Sequence, residues 1–112
     1  MKLARVPGLA AGSLALASLA LAATAQDRQR AAPQIFADTC AHCHETGGWG
    51  TRALARRVPA GQAELLKRED LPAVLTRFAV RRGIGAMPPL TPTDLTDEEL
   101  DRLARWLEAN PR

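Results

Sequence analysis

Cys40 and Cys43 are the only cysteines in this chain of 112 residues, and they stand three positions apart. A small chain bound for an oxidising compartment is ordinarily tied together by disulfides. A pair this close in sequence cannot join distant segments, so whatever holds the fold together has to be something else.

The export reading rests on the first 25 residues. Lys2 and Arg5 stand there without an acid, a Leu/Ala run follows from Leu9 to Ala23, and the segment closes on Ala23-Thr24-Ala25. A basic start, an apolar stretch too short to span a bilayer and small residues at the cleavage positions make a secretory signal; an uncleaved membrane anchor is the competing reading. Cleavage after Ala25 leaves 87 residues, a periplasmic location and no membrane span. Residues 26–32 read as a flexible lead-in, and residues 33–112 as one domain.

Lys2 and Arg5 leave with the signal, so 13 basic residues face 12 acidic ones. A net charge near +1 makes no case for nucleic acid. Only twenty apolar side chains larger than Ala or Cys remain to build a core, and chains this small often need a disulfide, a metal or another covalent aid.

Pro33, Ile35, Phe36 and Ala37 lead a first helix into the cysteines. Thr46-Gly47-Gly48-Trp49-Gly50 reads as a loop, and residues 62–67 as one or two helical turns. Asp70 is a cap candidate for a helix whose Leu71, Val74, Leu75 and Phe78 repeat at i, i+3, i+4, i+7, with Gly83 as a left-handed C-terminal cap. Two glycines and two prolines hold residues 83–90 extended, and the segment ends near Pro92. Thr96 and Glu99 fit a capping box, Leu95 and Leu100 its hydrophobic staple, and Leu100, Leu103, Ala104, Trp106 and Leu107 form the stripe of a last helix. No segment alternates as a strand does. The fold class is all-α, three to five helices in one domain.

Cys40-Ala41-His42-Cys43-His44 is C-x-x-C-H, the c-type haem attachment pattern. Cysteines on one helical turn point the same way, so both thiols can add to the two vinyl groups of one haem, and His44 then offers an imidazole nitrogen to the iron. One covalently bound haem c supplies the missing link and an apolar plate for the core. The second iron ligand follows by elimination. His42 and His44 are the only histidines, and His42 lies on another face. Once Met1 is removed, Met87 is the only thioether. Met/His ligation fills both axial positions and suits electron transfer.

From Pro33 to Asn110 the chain resembles a class I cytochrome c, in its aromatic residue, C-x-x-C-H, helix, Gly-x-x-Ala-Met-Pro loop and capped last helix. Arg81-Arg82-Gly83-Ile84-Gly85-Ala86-Met87-Pro88 is similar to the small cytochrome subunits of p-cresol methylhydroxylase-type flavocytochromes. That resemblance implies a one-electron carrier that is not itself an enzyme and takes electrons from a flavin- or quinone-dependent dehydrogenase before passing them to a downstream acceptor. A freestanding periplasmic shuttle to a terminal oxidase is the alternative. Many relatives carry Gly-Pro-x-Leu after the motif, where the proline carbonyl accepts the proton on the haem histidine's far nitrogen. Here the segment is Gly50-Thr51-Arg52-Ala53-Leu54, and the Thr51 carbonyl is the candidate replacement.

A thiol- or metal-binding module built on Cys40, Cys43 and the histidines is the rival from another class, although it lacks a βαβ setting and a second ligand pair. A haem sensor with an open iron position is a third. Phe36, Phe78 and Trp106 read as packing residues, and Trp49 as a haem-propionate shield or a surface residue. Arg77, Arg81 and Arg82 either steer a partner or form a solvated face. The acids from Asp94 to Asp101 complement a helix N-terminus.

Overall fold

The computed structural model describes residues 30–110; the signal-like segment, its cleavage position and residues 26–29 of the lead-in lie outside them. Among the described residues the elements are α1 (Ala32–Thr39), α2 (Ala41–His44), α3 (Trp49–Leu54), a 3-10 turn (Leu65–Lys67), α4 (Ala73–Arg82) and α5 (Asp97–Ala109). The fold is all-α, as the patterning indicates. The one β-type pairing among these residues is an isolated bridge between Ile84 and Met87.

Helix α5 organises the molecule. Thr96 accepts from the Glu99 N–H at 3.2 Å while the Glu99 carboxylate accepts from the Thr96 N–H at 3.1 Å, completing the capping box. Leu95 and Leu100 on either side of the cap are both buried, as a hydrophobic staple requires. Helices α1 and α4 pack against α5, and Ile35, Phe36, Leu71, Val80, Leu95, Leu100, Leu103 and Leu107 form the core. The rings of Phe36 and Trp106 meet at 5.8 Å between centroids, tilted by 55°, a favourable aromatic geometry.

Three local readings change. The Arg30 Nε donates to Glu99 Oε1 at 2.8 Å, so the lead-in is anchored from Arg30 on; a Glu99 side chain only 6% exposed needs a cation beside it. Helix α4 begins at Ala73 after Pro72, not at an Asp70 cap, and Asp70 instead accepts from Arg68 Nε at 3.0 Å. Its buried face is Ala73, Thr76 and Val80, whereas Val74 and Phe78 are 68% and 54% exposed, so Phe78 is not a packing residue. Glu108 of α5 accepts from the Ala73 N–H at 3.0 Å. This contact caps α4 from across the interface and fixes its rotation, turning Val74 and Phe78 outward. Finally, Trp49 opens α3 and does not lie in the glycine loop.

Candidate functional site

Helices α2 and α3, the 3-10 turn, α4, α5 and the segment carrying Met87 enclose a cavity of about 520 Å³, within the roughly 300–1,000 Å³ typical of ligand and cofactor sites. Cys40, Cys43, His44 and Met87, separated by up to 47 positions in sequence, all line it. Its walls are apolar, including Leu65, Leu71, Leu75, Val80, Leu103 and Leu107.

The single turn of α2 sets the attachment end. The N–H groups of Cys43 and His44 donate to the Cys40 carbonyl at 3.1 and 3.0 Å, which brings both cysteines onto one turn. His42 is exposed and outside the cavity lining. Burial first, and the neighbouring Cys43 second, push the Cys40 thiol up to about 11. That is the reverse of the lowered pKa of a redox-active dithiol.

His44 lies against Gly50, where a Cβ would stand 2.8 Å from Cε1 and 3.0 Å from Nδ1. Nδ1 is buried with no hydrogen-bond partner, leaving Nε2 as the nitrogen available to a metal. Burial lowers the His44 pKa, favouring the neutral imidazole that ligates metals. The Thr51 carbonyl does not serve Nδ1. It accepts from the Ala55 N–H at 2.9 Å as part of α3, and the Thr51 hydroxyl turns to the Glu45 carbonyl at 2.8 Å. Continuing α3 through Thr51 therefore directs its carbonyl along the helix axis.

Met87 is carried by a strap that leaves α4 at Gly83. There the backbone takes φ +69° and ψ 159°, a positive φ as expected of a terminal glycine but with an extended ψ that launches the chain away from the helix. Ile84 and Met87 exchange two backbone hydrogen bonds at 3.2 and 3.0 Å, closing a tight turn around Gly85. A Cβ on Gly83 would stand 2.6 Å from the Met87 carbonyl oxygen, so this close return needs glycine.

Several residues around the cavity escape a reading of the sequence. Thr76 is buried on its wall with the hydroxyl unpartnered. Arg52, Arg56 and Arg57 line the cavity and are exposed, alongside Trp49 and Ile84 at 57% and 42% exposure. The i, i+4 spacing of Arg52 and Arg56 just after the histidine was the available signal. The arginines near Met87 behave differently from a steering patch. Arg77 pairs with Asp101 and Arg81 with Asp97, each at 2.6 Å, and only Arg82 of the three is exposed.

Two thiols on one turn, a buried imidazole, a thioether lining the same cavity and apolar walls around a space of this size suit a covalently attached haem. Among the described residues no group of three or more His, Cys, Asp and Glu side chains is arranged to hold a metal ion, and no helix is long and apolar enough to cross a membrane. The family model described as cytochrome C oxidase, cbb3-type, subunit III matches residues 27–107. Neither the curated proteins nor the solved structures compared with the chain gave a match.

Proposed function

The chain belongs to this family of c-type cytochrome domains, and from that premise we propose how its own residues hold one haem c and make it a one-electron carrier. The carrier role and the covalently bound haem c come with the family. The residue assignments are our reading, and the single observation that carries them is the convergence of Cys40, Cys43, His44 and Met87 on one cavity.

Cys40 and Cys43 would hold the haem covalently through two thioethers, each thiol S–H adding across one vinyl double bond with no net redox change. His44, through Nε2, and Met87, through its sulfur, would hold the iron. When bound, the haem supplies an Fe(III)/Fe(II) couple, and a Met/His pair favours the reduced form relative to two nitrogen ligands. The walls from Leu65, Leu71, Leu75 and Val80 exclude water, which keeps reorganisation small as charge changes. Arg52, Arg56 and Arg57 stand where they can neutralise propionates or an acidic docking face, and Trp49 and Ile84 give the mouth an apolar centre.

Protein produced with the haem-attachment machinery should retain haem through acid–acetone extraction, and the double change Cys40→Ser, Cys43→Ser should release it. Met87→Ala should abolish the far-red sulfur-to-iron band and lower the potential; an unchanged band removes Met87 from the ligand set.

The finer reading is an exported carrier that accepts electrons from a flavin- or quinone-dependent dehydrogenase. Secreted protein beginning at Gln26 would support the export step, and salt-sensitive reduction by such a partner the second. The matched family's description favours a competing place beside a terminal oxidase, and comparing reduction and oxidation rates with each partner distinguishes them.

A further inference from the structure

Arg81 sits where α4, the Met87 strap and the start of α5 meet. Its Nη1 donates to the Leu90 carbonyl at 3.1 Å, and its Nη2 to the Leu95 carbonyl at 2.9 Å and to Asp97 Oδ1 at 2.6 Å. Beside it, the Leu90 N–H donates to the Val80 carbonyl at 2.8 Å. The strap is therefore held at two ends. The incoming end is a backbone turn, Ile84 to Met87, and the outgoing end combines the Leu90 bond to Val80 with one guanidinium that reaches both Leu90 and Leu95.

A comparison within the molecule isolates this role. Arg77, one turn earlier on α4, bonds Asp101 through Nε at 2.7 Å and Nη2 at 2.6 Å. It joins α4 to α5 as Arg81 does, and no hydrogen bond links it to the strap. The Asp97 side chain is 78% exposed, so its ion pair contributes little by itself. The two carbonyl contacts carry the distinctive part, and a planar fork with several fixed donors meets them as a lysine ammonium cannot.

We propose that Arg81 is a positioning residue for Met87: its guanidinium pins the strap to the α4–α5 corner and so sets how readily an outside ligand displaces the methionine. The displacement rests on Met87 being the axial ligand, whereas the pinning itself does not.

The test uses the ferric holoprotein and imidazole as the competing ligand, with amide hydrogen exchange at Leu90 as a second readout. Charge-assisted hydrogen bonds of this kind are strong enough that Arg81→Gln should bind imidazole roughly tenfold or more tightly and expose the Leu90 amide to faster exchange. Arg77→Gln should lower the melting temperature comparably and leave imidazole affinity at the wild-type value. Arg81→Lys, which keeps the charge and should fold even if Arg81→Gln does not, should fall between. Equal imidazole affinities in Arg81→Gln and Arg77→Gln, or in Arg81→Lys and wild type, overturn the proposal, as does wild-type exchange at Leu90 in either Arg81 variant. A wild-type protein with no sulfur-to-iron band overturns the Met87 assignment instead, and the pinning is then decided by Leu90 exchange alone.

Discussion

Gly50 lacks a side chain where the His44 ring passes. A Cβ there would come within 2.8 Å of the ring and 2.9 Å of the Cys43 carbonyl, and neither can move without disturbing the attachment turn. Gly50→Ala should cost about 1–3 kcal/mol, as overpacking does, and perturb the ferric spectrum; denaturant unfolding and absorption would show it, and a wild-type spectrum at wild-type stability would refute it. Gly83→Ala combines the 2.6 Å approach to the Met87 carbonyl with a positive φ, so its effect should fall on the sulfur-to-iron band before global stability. Met87 could be singled out in the sequence as a candidate ligand because elimination needed only a count of thioethers and imidazoles. The contact between Gly50 and His44 could not, since it depends on how α3 folds back against α2. Whether the Thr51 carbonyl reaches the His44 ring is not legible in the sequence for the same reason.

Helix α5 was legible in full, because capping boxes and staples act between residues three to five apart, a distance that sequence order already fixes. Helix α4 was legible in existence but not in rotation: Glu108, 35 positions away, caps it. The two phenylalanines therefore behave oppositely. Phe36→Ala should cost about 3–5 kcal/mol, as for a filled core site, while Phe78→Ala, at 54% exposure, should stay within about 0.5 kcal/mol. Equal melting-temperature losses would contradict the packing described. Between elements, the Arg30–Glu99 pair gives stability a pH dependence. The hydrogen bond from Arg30 holds the Glu99 carboxyl below its ordinary 4.5, so between the lowered value and 4.5 the unfolded chain binds more protons. The contribution is complete above 4.5 and is lost as pH falls through the folded value. Glu99→Gln should lose about 1–3 kcal/mol at pH 7 and flatten the acid limb in unfolding free energies measured from pH 7 to pH 3. Parallel acid limbs in the two proteins would exclude this role for Glu99.

The described residues form short helices around a space that their own side chains do not fill. Left empty, a closed cavity of about 520 Å³ at roughly 24 cal/mol per Å³ would cost on the order of 12 kcal/mol. Because this cavity opens to solvent at Trp49 and Ile84, that figure is an upper bound, yet even half of it rivals the total stability of a domain this size, about 0.05–0.15 kcal/mol per residue. Attached haem is thus expected to stabilise the domain as well as to serve as its redox group, in keeping with a core of so few large apolar residues. Protein made without haem attachment should keep part of its far-UV helical signal, since the α5 cap is local, while losing the near-UV signal of Trp106 packed on Phe36, binding ANS and melting without a cooperative transition. Loading haem should restore a sharp transition. A haem-free protein with dispersed amide resonances and cooperative unfolding would show instead that the helices close over the cavity and that α5 alone organises the fold.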